Sequence, residues 1–164
     1  MAGLYFEEFQ IGKVFQHALR RTLTEAESPS DVPESQQAVR ELIGAELEAL
    51  GYRVRRVPGR ATGGMLFAVP RQRRRGAPAQ LILGHYDTVW PSGTLGEMPF
   101  SVDGDTVRGP GVYDMKAGIV QALLALGVLQ DFGVEPRLTP VLFFNSDEEI
   151  GSGESGKYIH WLAQ

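Results

Sequence analysis

AQLILGHYDTVWP (79–91) decides the fold: an unbroken apolar run from Leu81 to Leu83 leads straight into a His-x-Asp cluster and then a proline. A short continuous apolar run suits a strand covered on both faces in a parallel sheet. The same layout returns in VLFFNSDEEIGSG (141–153), where a second apolar run ends in an acidic triplet. Between them, GPGVYDMKAG (109–118) opens MKAGIVQALLALGVLQDFG (115–133), a mostly apolar helix stopped by Gly133. Further out, SDVPESQQAVRELIGAELEALG (30–51) carries Val39, Leu42, Ile43, Leu47 and Leu50 at helical spacing, with Ser30 and Asp31 as capping candidates and Gly51 as a stop. YRVRRV (52–57) and MLFAV (65–69) read as an outer pair of strands, and ESGKYIHWLAQ (154–164) as a short terminal helix. Residues 92–113, rich in Gly and Pro with a turn at Asp103-Gly104, read as a long irregular functional loop. The alternation of helix and strand predicts a layered α/β fold.

Composition narrows the chemistry. The 164 residues fit one domain, and 43% hydrophobic with 22% charged residues excludes a disordered, collagen-like or coiled-coil chain. A net charge of −4 gives no footprint for nucleic acid or an anionic membrane, so neither is expected as a partner. RQRRRGAP (71–78) is the exception in charge, and its Gly-Ala-Pro ending reads as a solvated loop. No apolar stretch reads as a membrane span and the start lacks the layout of a secretory signal, so a cytoplasmic protein is expected. With no cysteine, any metal must be held by His, Asp or Glu, and the only histidines are His17, His85 and His160.

Three polar clusters sit after strands or beside the long loop, where the ligand crevice of an open α/β sheet lies. His85 and Asp87, two residues apart, share a face if the strand continues. A metal-binding imidazole usually gives its other N–H to a carboxylate, and Asp87 is placed for that; the plain alternative is a solvent-facing histidine and a turn-capping aspartate. Asp114, between a Gly-Pro-Gly turn and the apolar helix, is either a ligand in the crevice or a helix cap. Glu148 and Glu149 point to opposite sides of an extended segment, so one can hold metal while the other takes a proton from water; otherwise they form an acidic turn.

LILGHYDTVWPSGTL, GPGVYDMKAG and FFNSDEEIGS, in this order and at these separations, resemble the M20 metallopeptidases, the group containing glutamate carboxypeptidase, acetylornithine deacetylase and succinyl-diaminopimelate desuccinylase. The resemblance runs from about Glu27 to Gln164. It implies part of a three-layer α/β zinc-peptidase domain, with a mainly parallel mixed sheet, acting on small peptides or N-acyl amino acids. By resemblance His85 is a terminal ligand of one Zn²⁺, Asp114 bridges two and Glu149 binds the other. Asp87 orients His85, Glu148 is the general base, and Asp114-Met115 is a cis peptide. HYDTVWP and YDMKAG look most like the glutamate carboxypeptidase branch.

The family's second carboxylate ligand, its late histidine and its lid or dimerisation domain have no counterpart here. The resemblance therefore implies a truncated domain, with doubtful zinc occupancy and weak or no activity alone. The alternative is a non-catalytic remnant or binding module that needs a partner chain. Apolar faces left without cover would then favour a homodimer or other self-association. His160, beside Tyr158 and Trp161, reads as a surface or packing residue rather than a substitute ligand. Residues 1–26 form a separate question: GLYFEEFQIGKVFQHALRRTLTEA (3–26) resembles the opening of MaoC-like hot-dog hydratases, or else Phe15, Leu19, Leu23 and Ala26 form the apolar stripe of a helix.

Overall fold

The computed structural model describes Leu23 and residues 26–73 and 76–164. The elements are α1 (Gln36–Ala49), β1 (Tyr52–Val57), β2 (Met65–Pro70), β3 (Ala79–His85), α2 (Thr94–Glu97), β4 (Ser101–Asp103), β5 (Thr106–Arg108), α3 (Ala117–Asp131), β6 (Thr139–Asn145) and α4 (Gly156–Leu162). Four strands form one sheet in the order β1-β2-β6-β3, and β4-β5 is a separate hairpin.

The sheet is mixed, as expected, but its parallel part is smaller than the sequence suggested. Only β3 and β6 run parallel; β1-β2 and β2-β6 are antiparallel. The reason is connection length. The short loop from Pro58 to Gly64 returns β1 directly into an antiparallel neighbour, whereas the excursion through α3 allows β6 to lie parallel to β3. The outer pair β1-β2 falls where the alternating basic residues of YRVRRV predicted.

Side chains alternate across the strands, so Leu66, Ala68, Leu142 and Phe144 share one face. There they join Val39, Ile43 and Leu47 of α1 and Ile119, Leu123 and Leu126 of α3 in one buried core. On the other face, Phe143 meets Tyr158 of α4, with ring centroids 6.3 Å apart. Helices on both faces of a sheet give the three layers. Leu23 and Ala26, two residues of the expected apolar stripe, pack on the core. Phe15, Leu19 and the rest of the segment from Gly3 to Leu19 lie outside the described residues.

Four local expectations change. Among the described residues β3 is not covered on both faces: it ends the sheet, and Leu83 is 46% exposed. α1 starts at Gln36 after Ser35, not at Ser30 or Asp31, because turns from Pro29 to Ser35 intervene and the Ser30 hydroxyl is used elsewhere. The 92–113 loop contains α2 and the β4-β5 hairpin, whose turn is Gly104-Asp105. Finally, the twenty residues Val112–Asp131 contain an eighteen-residue stretch of mean hydropathy 1.5, long and apolar enough by length and composition to cross a membrane, where the sequence suggests no such span. Core helices pass the same test, and α3 packs Ile119, Leu123 and Leu126 into the core.

Candidate metal centre

β3 and β6 are parallel neighbours with His85 opposite Asn145, so the loops leaving their carboxyl ends emerge side by side. That register, rather than proximity in sequence, brings HYD and SDEE together. The third contributor, Asp114, lies in a wide helical turn (Val112–Lys116) at the start of α3. Its own backbone is extended there (φ −120°, ψ 106°), and the helix starts instead from Lys116, whose N–H donates to the Gly111 carbonyl. Asp114 is therefore not a helix cap, and its side chain is 68% exposed toward the crevice. Asp114-Met115 is a cis peptide.

His85 is 5% exposed, with Nε2 3.0 Å from Asp114 Oδ1 and 3.7 Å from Glu148 Oε2. Its Nδ1 lies 3.2 Å from the Asp87 carbonyl and 3.3 Å from Asp87 Oδ1, and its backbone N–H meets the Met115 sulfur at 3.3 Å. Donor atoms of His85, Asp114 and Glu149 all lie within 4.8 Å of one another. One imidazole and two carboxylates are a donor set suited to Zn²⁺, whose ligands at about 2.0–2.2 Å stand ~3.3 Å apart around a tetrahedron. The donors present thus fit a divalent transition metal in type, and lie close enough to one another to gather around a metal site.

Glu148 and Glu149 do not face opposite ways, as an extended segment would require. Glu148 opens a tight turn, with Gly151 N–H donating to its carbonyl at 2.8 Å, and both carboxylates gather near the same imidazole. Asp147 turns away instead: its Oδ2 accepts the N–H groups of Glu154 and Ser155 at the start of α4. Buried Asp147 thus holds the turn into α4, while Glu148 and Glu149 stand in the turn itself, beside the cluster. His160 is exposed on α4, 2.9 Å from the Gln164 amide, and takes no part in the cluster.

Crowded carboxylates set the electrostatics. Burial, the largest influence on His85, disfavours its charge, but the hydrogen bond and charge of Asp87, with Glu148 and Asp114, outweigh it and carry the pKa up to about 9. Asp87 is fully buried yet held below its ordinary range. Burial pushes it up; hydrogen bonds from His85 and Ser30, the His85 charge and the Glu149 N–H prevail. Glu149 is raised, chiefly by burial and then by the negative charges of Asp114, Asp87 and Glu148 against the pull of His85.

A family model for peptidase family M20/M25/M40 matches residues 81–164, which is half of the chain and includes all three clusters. This chain belongs to the M20 family. Over 149 residues it is 35% identical to carboxypeptidase G2 of Pseudomonas sp. (strain RS-16), covering 88% of this chain and 35% of that protein. The fold is similar to that of the di-peptidase Dug1p from Saccharomyces cerevisiae, with a TM-score of 0.70 at 17% identity over 84% of this chain and 33% of that one. It also resembles the M20 metallo-carboxypeptidase Sso-CP2 from Sulfolobus solfataricus, with a TM-score of 0.65 at 21% identity over 84% and 32%. The chain thus spans about a third of the length of each of these proteins.

Several residues around the M20 cluster escaped the sequence reading. Ser30 donates its hydroxyl to Asp87 Oδ2 at 2.8 Å across 57 residues. Lys116, buried, donates its ammonium to the Ala26 carbonyl, and burial lowers its pKa to about 8 against the opposing charge of Glu27. Glu27 in turn accepts the N–H groups of Gly93 and Leu95 at 2.7 and 2.8 Å. No periodicity marks such residues, because each acts on a segment far along the chain.

Proposed function

We propose that this chain supplies part of the catalytic site of a zinc-dependent hydrolase that cleaves amide bonds of small peptides or N-acyl amino acids in the manner of a carboxypeptidase. The observation that carries the reading is the convergence of His85, Asp114 and Glu149 with the Glu148 carboxylate beside them. His85, Asp114 and Glu149 would hold the metal, and Asp87 would keep the imidazole turned toward it. The chemistry supplied there by bound zinc is acidification of a water and polarisation of an amide carbonyl.

The remaining work falls to the chain's own side chains. Glu148 is 55% exposed, free enough to accept a proton from water and pass it to the leaving nitrogen. Asp87 is bound by Ser30 and by the Glu148 and Glu149 amides, so it orients His85 without competing for the water's proton. Support for peptide-type substrates comes from family membership and the 35% identity to carboxypeptidase G2.

Zinc uptake by calorimetry, paired with release of glutamate or other amino acids from N-acyl substrates, tests the reading. Glu148→Gln is expected to bind zinc as the parent does and to lose at least ~100-fold in any hydrolysis. Glu149→Gln should lose zinc itself. Tight zinc binding without hydrolysis favours the binding-module alternative, and no zinc binding at micromolar protein overturns the metal-centre reading for this chain.

A further inference from the structure

Asp87 is the fully buried hinge of the site, and its four contacts divide between its two oxygens. Oδ1 faces His85 Nδ1 at 3.3 Å and the Glu148 N–H at 3.4 Å; Oδ2 accepts the Ser30 hydroxyl at 2.8 Å and the Glu149 N–H at 3.2 Å. The Ser30 bond is the shortest of the four and the only one from a side-chain hydroxyl. Without it, Oδ2 keeps one long amide contact in a place where water does not reach, and the carboxylate gains freedom to rotate away from the imidazole.

Ser30 is delivered by a strap that is itself tied down. Residues 28–30 run beside 86–88 through a parallel Pro29-Thr88 bridge, with Thr88 N–H donating to Ser28 O at 2.9 Å and Ser30 N–H to Thr88 O at 3.1 Å. Lys116 fastens the strap at Ala26, and Glu27 fastens it to the start of α2. The same strap offers an internal control: Ser28, also fully buried, donates to the Tyr86 carbonyl at 2.6 Å and does not bond to Asp87.

We propose that Ser30 is a positioning residue of the metal centre, acting through Asp87 to fix the orientation of the His85 imidazole. The inference rests on the metal-centre reading above for its functional meaning, while the Ser30-Asp87-loop coupling stands on geometry alone. Outer partners of a metal-binding histidine typically change metal affinity 10–100-fold, and Ser30 stands one bond further out. An effect of about tenfold is therefore expected.

The test compares Ser30→Ala with Ser28→Ala in the full chain. Zinc affinity is read by competition with a chromophoric chelator, and ligand geometry by the visible absorption of the Co²⁺-loaded protein. Ser30→Ala should bind zinc about tenfold more weakly and alter the cobalt band. Ser28→Ala should melt earlier yet keep both at parental values. Ser30→Thr and Ser30→Val, alike in size and different in the hydroxyl, repeat the comparison without the cavity left by alanine; threonine should restore affinity and valine should not.

Equal affinity in Ser30→Ala and the parent, or an equal loss in Ser28→Ala, overturns the proposal. Should the parent bind neither metal, the metal-centre reading fails, and the amide resonances of Glu148 and Glu149 in the metal-free protein decide the coupling. Their movement in Ser30→Val but not in Ser30→Thr or Ser28→Ala supports it; unchanged resonances in Ser30→Val overturn it.

Discussion

At the residue scale, the imidazole of His85 has a carboxylate at each nitrogen, Asp87 at Nδ1 and Asp114 at Nε2. The two differ in environment: Asp87 is fully buried and bonded, while Asp114 is mostly exposed. On the metal-centre reading proposed above, one would stay in place and the other would meet the ligand. Asp87→Asn keeps the shape but removes the charge and turns an acceptor into a donor, so zinc affinity is expected to fall about 10–100-fold in a chelator competition. The members of the cluster were legible in the sequence because only His, Asp and Glu were available to hold metal and they stood at strand ends or beside the long loop. Ser30 was legible only as a local cap: its residue type serves helix starts so often that a partner 57 residues away leaves no signature. Glu148 and Glu149 depart from the strand alternation for a related reason, since spacing fixes which side of a strand a residue takes but says nothing once the chain turns.

At the scale of elements, strands and helices followed their apolar patterns closely, and the differences lie at their ends and connections. Leu142 occupies the centre of β6, fully buried between α1 and α3, so Leu142→Ala should cost about 2–5 kcal/mol in urea unfolding. Gly111, at φ +68° before the Asp114 turn, has the Thr88 methyl where a Cβ would stand. Gly111→Ala is therefore expected to cost about 1–3 kcal/mol and to disturb Asp114 and Thr88 together, measurable as lower stability with weaker zinc binding.

Another tie between elements is Glu154, whose carboxylate receives the N–H groups of Arg60 and Ala61 and the Thr62 hydroxyl, joining the β1-β2 loop to the start of α4. Burial pushes its pKa up, but these donors and the Arg60 charge outweigh it and hold the group below its ordinary 4.5. A lowered folded pKa means stability that is present in full above the unfolded value and lost as pH falls through the folded one. Glu154→Gln should thus be less stable than the parent by at most about 1 kcal/mol at pH 7, for a contact largely screened by water. The difference should disappear by about pH 2 in denaturant melts; a gap independent of pH would show that the charge does not matter.

At the scale of the whole molecule, the described sheet is finished on one side and open on the other. β1 ends one edge with exposed Arg53 and Arg55, charges that discourage pairing with another strand. β3 ends the other edge without such charges: Leu83 is half-exposed, and Val89, Trp90 and Tyr113 near the crevice are exposed. Composition could not reveal this asymmetry, because an apolar strand reads the same whether it lies in the middle of a sheet or at its border. An unpaired apolar edge favours association of copies through β3, and sedimentation velocity should show the weight-average mass rising with protein concentration. Leu83→Lys places a charge on that edge at a half-exposed position. It should return the protein toward monomer while changing stability by no more than about 0.5 kcal/mol. A parent that stays monomeric at high concentration, or a Leu83→Lys variant that associates equally, would locate any self-association away from β3, and the burden of covering the crevice would pass to the exposed Val89, Trp90 and Tyr113.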